Sequence, residues 1–176
     1  YQALYSNTEG SLNTANGFYA LYSNTDGDYN TANGSQALYY NTDGSQNTAN
    51  GFQAIVNNTT GNQNTANGNY ALNSNTTGNQ NTALGYYADV ASASLTNATA
   101  IGYIAEVDAS NKIQLGNTSV TSVVTSGTLT TGAVTYPNTD GIAGQVLTTD
   151  GAGVVSFQPS ASAPQDLSLT GNILSL

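Results

Sequence analysis

Two sets of carboxylates are spaced so that they could do chemistry. Glu9, Asp26 and Asp43 recur at one place in successive Asn-Thr-(Asp/Glu)-Gly phrases, at a constant 17-residue spacing. If those phrases stack, the acids stand about 5 Å apart and repel by roughly 1 kcal/mol even in water. A divalent cation such as Ca²⁺ relieves that repulsion where Asn and carbonyl oxygens complete its shell. A solvated turn column that keeps the chain soluble is the simpler account, because Thr60 and Thr77 fill the same column without any acid. The Gly-Gly-x-Gly-x-Asp phrase of calcium-binding solenoids does not occur. The second set is Asp89 and Glu106, the only candidate for the carboxylate pair that glycoside cleavage needs. Nothing in the sequence marks a groove around them, and the nearby rings are limited to Tyr86, Tyr87 and Tyr103. Catalysis is the weaker reading.

Eleven of the 12 tyrosines fall between Tyr1 and Tyr103. Exposed rings can stack on sugar faces or anchor protein contacts. Tyr5, Tyr22 and Tyr39 share one column, however, and read first as a ladder between stacked chain turns. Columns of Thr could also order ice-like water, although Thr ladders are ordinary solenoid filler. Asn-x-Thr matches such as those at Asn58 and Asn75 follow from an Asn- and Thr-rich composition and carry no information on glycosylation.

Composition removes most other chemistry. The chain of 176 residues has no Cys, His, Met or Trp, and Lys112 is its only basic side chain against 10 acidic ones, a net charge of −9. A His-based triad, a thiol nucleophile, an ordinary zinc site and a disulfide framework are excluded. No basic surface exists to drive nucleic-acid binding by counterion release, and an anionic lipid surface would repel the chain. No cofactor is implied. No signal peptide, transmembrane stretch or lipidation motif is visible, so no membrane insertion is expected within this segment. Tyr1 begins inside a repeat and Leu176 ends inside a strand-like phrase, which reads as a segment cut from a longer protein.

The elements that must position these side chains are 17-residue rows, starting at Asn7, Asn24, Asn41, Asn58 and Asn75, with a divergent row at Ser92. Columns of Gly (17 through 102), Thr (14 through 99) and Ala (15 through 100 and 3 through 105) hold their places throughout. Each row holds two strand-like pieces, of the type Tyr-Ala-Leu-Tyr-Ser and Tyr-Asn-Thr-Ala-Asn, separated by Gly-containing turns. Such frequent turns, and so much Gly, Asn and Thr, exclude helix. An antiparallel meander with Asn-Gly hairpins is one β reading. A parallel solenoid is the other, and it explains the columns directly, because each residue meets its own copy about 4.8 Å above and below. The solenoid is preferred. Its fixed letters are corner Gly, Ala where space is short, and Thr and Asn for hydrogen-bonded ladders.

A single coil of this length encloses little apolar area against the entropy of ordering its backbone, so self-association is expected. Strand alternation puts Leu4, Leu21, Leu38, Ile55 and Leu72 on the face opposite the adjacent Ala, where a neighbouring chain would cover them. That column continues as Asp89 and Glu106, which are expected to be exposed, while the column of Asn16, Asn33, Asn50 and Asn67 becomes Leu84 and Ile101. The buried face is therefore expected to switch near residue 84. The expected oligomer core is the Leu4-to-Leu72 column followed by Leu84 and Ile101.

Residues 97–117, NATAIGYIAEVDASNKIQLGN, resemble the head repeats of trimeric autotransporter adhesins (the YadA-like head) and related phage-type tail fibres. Thr99-Ala100-Ile101-Gly102 matches the small-residue–Ala-Ile-Gly phrase. Ala109-Ser110-Asn111 with Ile113, Leu115 and Gly116 matches the closing phrase. The resemblance implies a left-handed parallel β-roll that trimerises about a central axis; the 17-residue coil is longer than the family repeat. The resulting expectation is an all-β chain. Residues 1–117 form a parallel, trimeric β-solenoid of such coils, 118–159 a β-rich fibre or connector region, and 160–176 a linker and the start of a further β module. Strands are expected at Gln145–Thr149 and Val154–Gln158 around the Asp150–Gly153 turn, with a linker at 160–164. QDLSLTGNILSL (165–176) is similar to a Leu-Ser-Leu…Gly-Asn module of large bacterial surface and tail-fibre-like proteins. The implied function is that of a non-enzymatic segment of an extracellular fibre, on a cell surface or a virion, which projects a binding tip or itself forms a surface that attaches to host, matrix or glycan. The alternative is a phage tail fibre or tail spike whose glycan-cleaving activity lies elsewhere in the fibre.

Overall fold

The computed structural model describes residues 1–126, 129–131, 134–136, 145–149 and 155–159. Thr-Ala-Asn is the stretch of each coil that runs extended. In chain order the strands of the first unit are β1 (Thr14–Asn16), β2 (Thr31–Asn33), β3 (Thr48–Asn50), β4 (Thr65–Asn67), β5 (Thr82–Leu84), β6 (Asp89–Val90), β7 (Thr99–Ile101), β8 (Glu106–Val107) and β9 (Ile113–Leu115). Seven of them form one parallel sheet in the order β1-β2-β3-β4-β5-β7-β9, and β6 pairs with β8 in a second, parallel sheet. Thr lies beside Thr and Ala beside Ala, from Thr14↔Thr31 to Thr82↔Thr99. The repeat is a β-solenoid, as the columns require. Its last seam breaks the period, because Thr99 pairs with Ile113 and the final coil is correspondingly shorter. The Asn-Thr-x turn is missing from that coil, while the rung that follows it persists: Thr96 N donates to Ser110 Oγ at 3.0 Å as Asp28 N does to Ser45 Oγ at 2.9 Å.

The Tyr-Ala-Leu-Tyr-Ser piece is not a strand in the coils before residue 84. Tyr19 and Leu21 have φ of 58° and 50°, and Gln36 and Leu38 have 59° and 53°. The left-handed region costs roughly 1–2 kcal/mol for a residue with a Cβ. Inter-coil hydrogen bonds offset this: Leu21 N donates to Ala37 O at 3.0 Å, and Ser23 N to Tyr39 O at 3.0 Å. The turn also breaks strand alternation, so that adjacent Ala and Leu both face inward. Ala20, Leu21, Ala37, Leu38, Ala54, Ile55, Ala71 and Leu72 are all 0% exposed within the single chain. Leu4, partly buried, packs on the same core. The expectation that Leu4, Leu21, Leu38, Ile55 and Leu72 face a neighbouring chain is therefore corrected: they fill the interior of their own coils.

Beyond residue 84 the backbone at this position changes. Asp89 and Glu106 lie in extended β6 and β8, outside the left-handed set. Alternation returns, and Val90 and Val107 (1% and 0% exposed) take over the interior that Leu filled above. The switch is thus a change of backbone conformation. Gly34 shows why the corner letter is fixed. Its φ is 146°, and a Cβ there would collide with the Gly51 carbonyl of the next coil.

The chain divides into a unit spanning Tyr1–Thr121 and another spanning Ser122–Leu176. In the second, β10 (Leu129–Thr131) pairs antiparallel with β11 (Val134–Tyr136), and β12 (Gln145–Thr149) with β13 (Val155–Pro159). Both strands expected from the sequence around residues 145–158 are present, the second shifted by one residue. The intervening turn, the 160–164 linker and the 165–176 module lie outside the described residues. No helix among the described residues is long and apolar enough to cross a membrane.

Candidate functional site

Two buried amide ladders hold the coils in register. In the first, Asn24 Nδ2 donates to Asn7 Oδ1 at 2.7 Å, Asn41 to Asn24 at 2.7 Å, Asn58 to Asn41 at 2.7 Å and Asn75 to Asn58 at 2.9 Å. In the second, each Asn side chain bridges to the following coil. Asn47 Nδ2 donates to Gly61 O at 2.8 Å, while Asn47 Oδ1 accepts from Asn64 N at 2.9 Å. These side chains are 0% exposed from Asn24 through Asn81. Every buried side-chain N or O among the described residues has a partner. The Asn letters of these two columns are therefore structural, and the surface must be sought on what remains.

The acidic turn column lies outside. Asp26 and Asp43 are exposed, and each accepts from the hydroxyl of the preceding residue, Thr25 at 3.0 Å and Thr42 at 2.9 Å. Glu9 is exposed as well. Among the described residues no three His, Cys, Asp or Glu side chains are grouped to hold a metal ion.

Asp89 and Glu106 are register partners across β6 and β8, but their surroundings differ. Glu106 is exposed, whereas Asp89 is only 9% exposed, which corrects the expectation that both are open to solvent. Both Asp89 oxygens accept from Ser74 N, at 3.1 Å each, and Oδ1 also accepts from Val90 N at 2.8 Å. In the coils above, the equivalent amide donates to a backbone carbonyl, as Ser23 N does to Tyr39 O. The carboxylate thus caps an amide that the change of backbone would otherwise strand. Burial raises the Asp89 pKa above the ordinary Asp value, the hydrogen bonds from Val90 and Ser74 oppose the rise, and the Glu106 charge adds to it. This is the arrangement of a structural cap.

The tyrosines form a ladder. Tyr5, Tyr22 and Tyr39 are stacked at centroid distances of 5.2 and 5.1 Å with interplanar angles of 3° and 4°. Tyr19 meets Tyr22 edge-on at 4.9 Å, and Tyr40 meets Tyr39 edge-on at 4.6 Å. A second group joins Phe52, Tyr70, Tyr86, Tyr87 and Tyr103. Tyr22 is stacked on both sides, whereas Tyr29 lies outside both groups and is 58% exposed. Gln63 Nε2 donates to Gln46 Oε1 at 3.0 Å in a parallel exposed column, and Gln53 donates to Gln36 in another. A shallow cleft of about 300 Å³ near the last coil is lined by Ile104, Glu106, Asp108, Lys112, Gln114 and Asn117. Lys112 is held within it by Asp108 at 2.7 Å.

The outer face of the seven-stranded sheet changes character along its length. Ala32, Ala49, Ala66, Ala83 and Ala100 point inward at 0% exposure, so the Thr and Asn on either side point out. Asn33 donates to Asn50 at 2.9 Å and Asn50 to Asn67 at 2.7 Å along this face. The column then becomes Leu84, Ile101 and Leu115, with Ile113 beside it in the Thr column. Their exposures, for Leu84, Ile101, Leu115 and Ile113 in turn, are 51%, 37%, 45% and 67%. Leu84 and Ile101, expected as oligomer core, are thus open in the single chain. Ile113 and Leu115 belong to the same patch. Counting by the constant period misses them, because the last coil is shorter than the others. The Ile-x-Leu spacing, echoing Thr-x-Asn, is the signal that finds them.

No protein-family model, curated protein or solved structure matches this chain. The chemistry open to it rests on this geometry: self-complementary amide ladders inside, rows of amide, hydroxyl and phenol groups outside, and an aliphatic patch on the sheet.

Proposed function

We propose that this chain is a structural, non-enzymatic segment of an extracellular fibre, on a cell surface or a virion, in which three copies associate through the outer face of the seven-stranded sheet. The observation that carries this reading is the aliphatic patch of Leu84, Ile101, Ile113 and Leu115 on an otherwise polar sheet. Burying an exposed Leu or Ile side chain contributes about 1.5–3 kcal/mol, so four half-exposed ones contribute on the order of 4 kcal/mol per copy. The resemblance of residues 97–117 to trimeric adhesin heads supports three copies as the number. The repeated surface rows support attachment by many weak contacts, each offered again about 4.8 Å along the stack. With one basic side chain, the contact is made by hydrogen bonds from amides, hydroxyls and phenols, and by stacking on exposed rings such as Tyr29, to neutral glycan or matrix protein.

Sedimentation tests the assembly. The intact chain should run as a trimer at micromolar concentration and the Leu84→Asn/Ile101→Asn double variant as a folded monomer; a folded wild-type monomer refutes the proposed interface. A glycan array with a salt titration tests the surface. Binding that collapses between low and physiological salt contradicts a hydrogen-bonding contact. Release of new reducing ends from a polysaccharide by the whole fibre would favour the tail-spike alternative.

A further inference from the structure

We propose that the Asn-Gly pairs at 33–34, 50–51 and 67–68 are a latent deamidation site, kept inert by the folded sheet and opened by local unfolding. Succinimide formation needs the backbone nitrogen after an Asn to lose its proton to solvent base and attack the Asn Cγ. The Cγ–Nδ2 bond then breaks and ammonia leaves. Water next opens either imide C–N bond, giving Asp or isoaspartate. Gly favours this path because it puts no side chain beside the attacking nitrogen.

In the folded chain both reacting groups are engaged. Gly34, Gly51 and Gly68 N–H donate to Asn16, Asn33 and Asn50 O, each at 2.8 Å, in the parallel ladder between coils. The Asn side chains are tied into their own ladder, Asn33 to Asn50 at 2.9 Å and Asn50 to Asn67 at 2.7 Å. The glycines have φ of 146°, 137° and 143° and lie against the carbonyl of the next coil, so the closed ring cannot form without parting the coils. Most other Asn residues of the repeat precede Thr, whose branched side chain crowds the attacking nitrogen. The reactive pairs thus coincide with the outer sheet face, and in the fifth and sixth coils Leu84-Gly85 and Ile101-Gly102 remove them. Once formed, an Asp column would set like charges one coil apart where amides had paired, and an isoaspartate would lengthen the main chain and break the register. Opening followed by reaction is therefore one-way.

The test incubates the 176-residue chain in mildly alkaline buffer, folded and in urea, and follows Asn33, Asn50 and Asn67 by peptide mass mapping. In urea all three should convert faster than Asn-Thr pairs such as Asn47-Thr48. In the folded chain they should convert at least about tenfold more slowly than in urea, the factor that an opening free energy of about 1.4 kcal/mol imposes. Gly51→Ala, measured only in urea where folding is irrelevant, should suppress conversion at Asn50 and leave Asn33 and Asn67 unaffected. Equal rates folded and unfolded overturn the protection, and Asn-Gly reacting no faster than Asn-Thr in urea overturns the site. Asn50→Asp, made by expression, should melt below the wild type; an unchanged midpoint overturns the one-way step.

Discussion

Removing one rung of the buried amide ladder should cost more than removing a rung of an exposed one. Asn47→Ala deletes a bond donated to Gly61 O and another accepted from Asn64 N, at 2.8 and 2.9 Å. Both surviving groups lie where water does not reach, beside side chains that are 0% exposed. Gly61 O keeps its bond from Asn58 Nδ2 at 2.9 Å, so the Asn64 N–H is the group left stranded, and a stranded buried donor destabilises the chain by about 1–3 kcal/mol. Gln63→Ala removes a rung of an exposed ladder, whose partners turn to solvent, and should stay within about 0.5 kcal/mol of wild type. Urea titration followed by circular dichroism gives the midpoints, and hydrogen exchange at Asn64 N–H reports the orphaned donor itself. Asn47→Leu is the decisive variant, because it fills the same space without restoring either bond. If Asn47→Leu is as stable as wild type, or Asn64 exchanges no faster, the ladder is a tolerated polar column and the reasoning from unsatisfied groups fails.

Leu38→Ala should destabilise the fold of a single chain by about 2–5 kcal/mol through cavity formation, whether or not the chain is associated. Denaturation at two protein concentrations separates this from an interface effect. Asp89→Asn tests the raised carboxyl pKa. Because the folded value lies above the unfolded one, the Asp89 contribution is full below the unfolded value and is lost as pH rises through the folded value. Wild type should therefore lose stability relative to Asp89→Asn as pH rises out of the acid range, and the opposite slope in paired urea titrations counts against burial as the dominant cause. Gln63→Gly relieves a side chain at φ 59°. It should raise the melting midpoint, the gain of roughly 1–2 kcal/mol from the left-handed region exceeding the 0.5–1 kcal/mol entropic cost of glycine, as calorimetry can check.

The period, the strand Thr-Ala-Asn and the inward Ala of that strand are legible because columns of identical residues leave few alternatives to parallel stacking. The path of the other half of the coil is not. Alternation treats Ala-Leu as part of a strand, whereas two adjacent apolar columns kept through five rows call for a backbone that turns both inward. The signal is present in the next rows, where Ala-Asp-Val and Ala-Glu-Val restore alternation and return to an extended backbone. The expectation of Asp89 in solvent rests on the same premise. Its burial follows from the stranded Ser74 amide, which no local pattern announces. The aliphatic patch is half legible: Leu84 and Ile101 stand out against their Asn column, while Ile113 and Leu115 are hidden by the shorter final coil.

The short coil-to-coil rise has a mechanical consequence. Each 17-residue coil is a length of chain that reaches about 56–61 Å when drawn straight, yet it advances the stack by only about 4.8 Å. A coil peeled from the end under load would release roughly 50 Å of slack while leaving the seams beyond it intact. Tension along the stack would be met one seam at a time, so the peak force reflects the strength of a single seam and the work absorbed grows with the number of coils. Pulled by its ends, this unit would behave as a shock absorber that lengthens in even steps, with the fully buried Asn rungs setting the force at which each step begins.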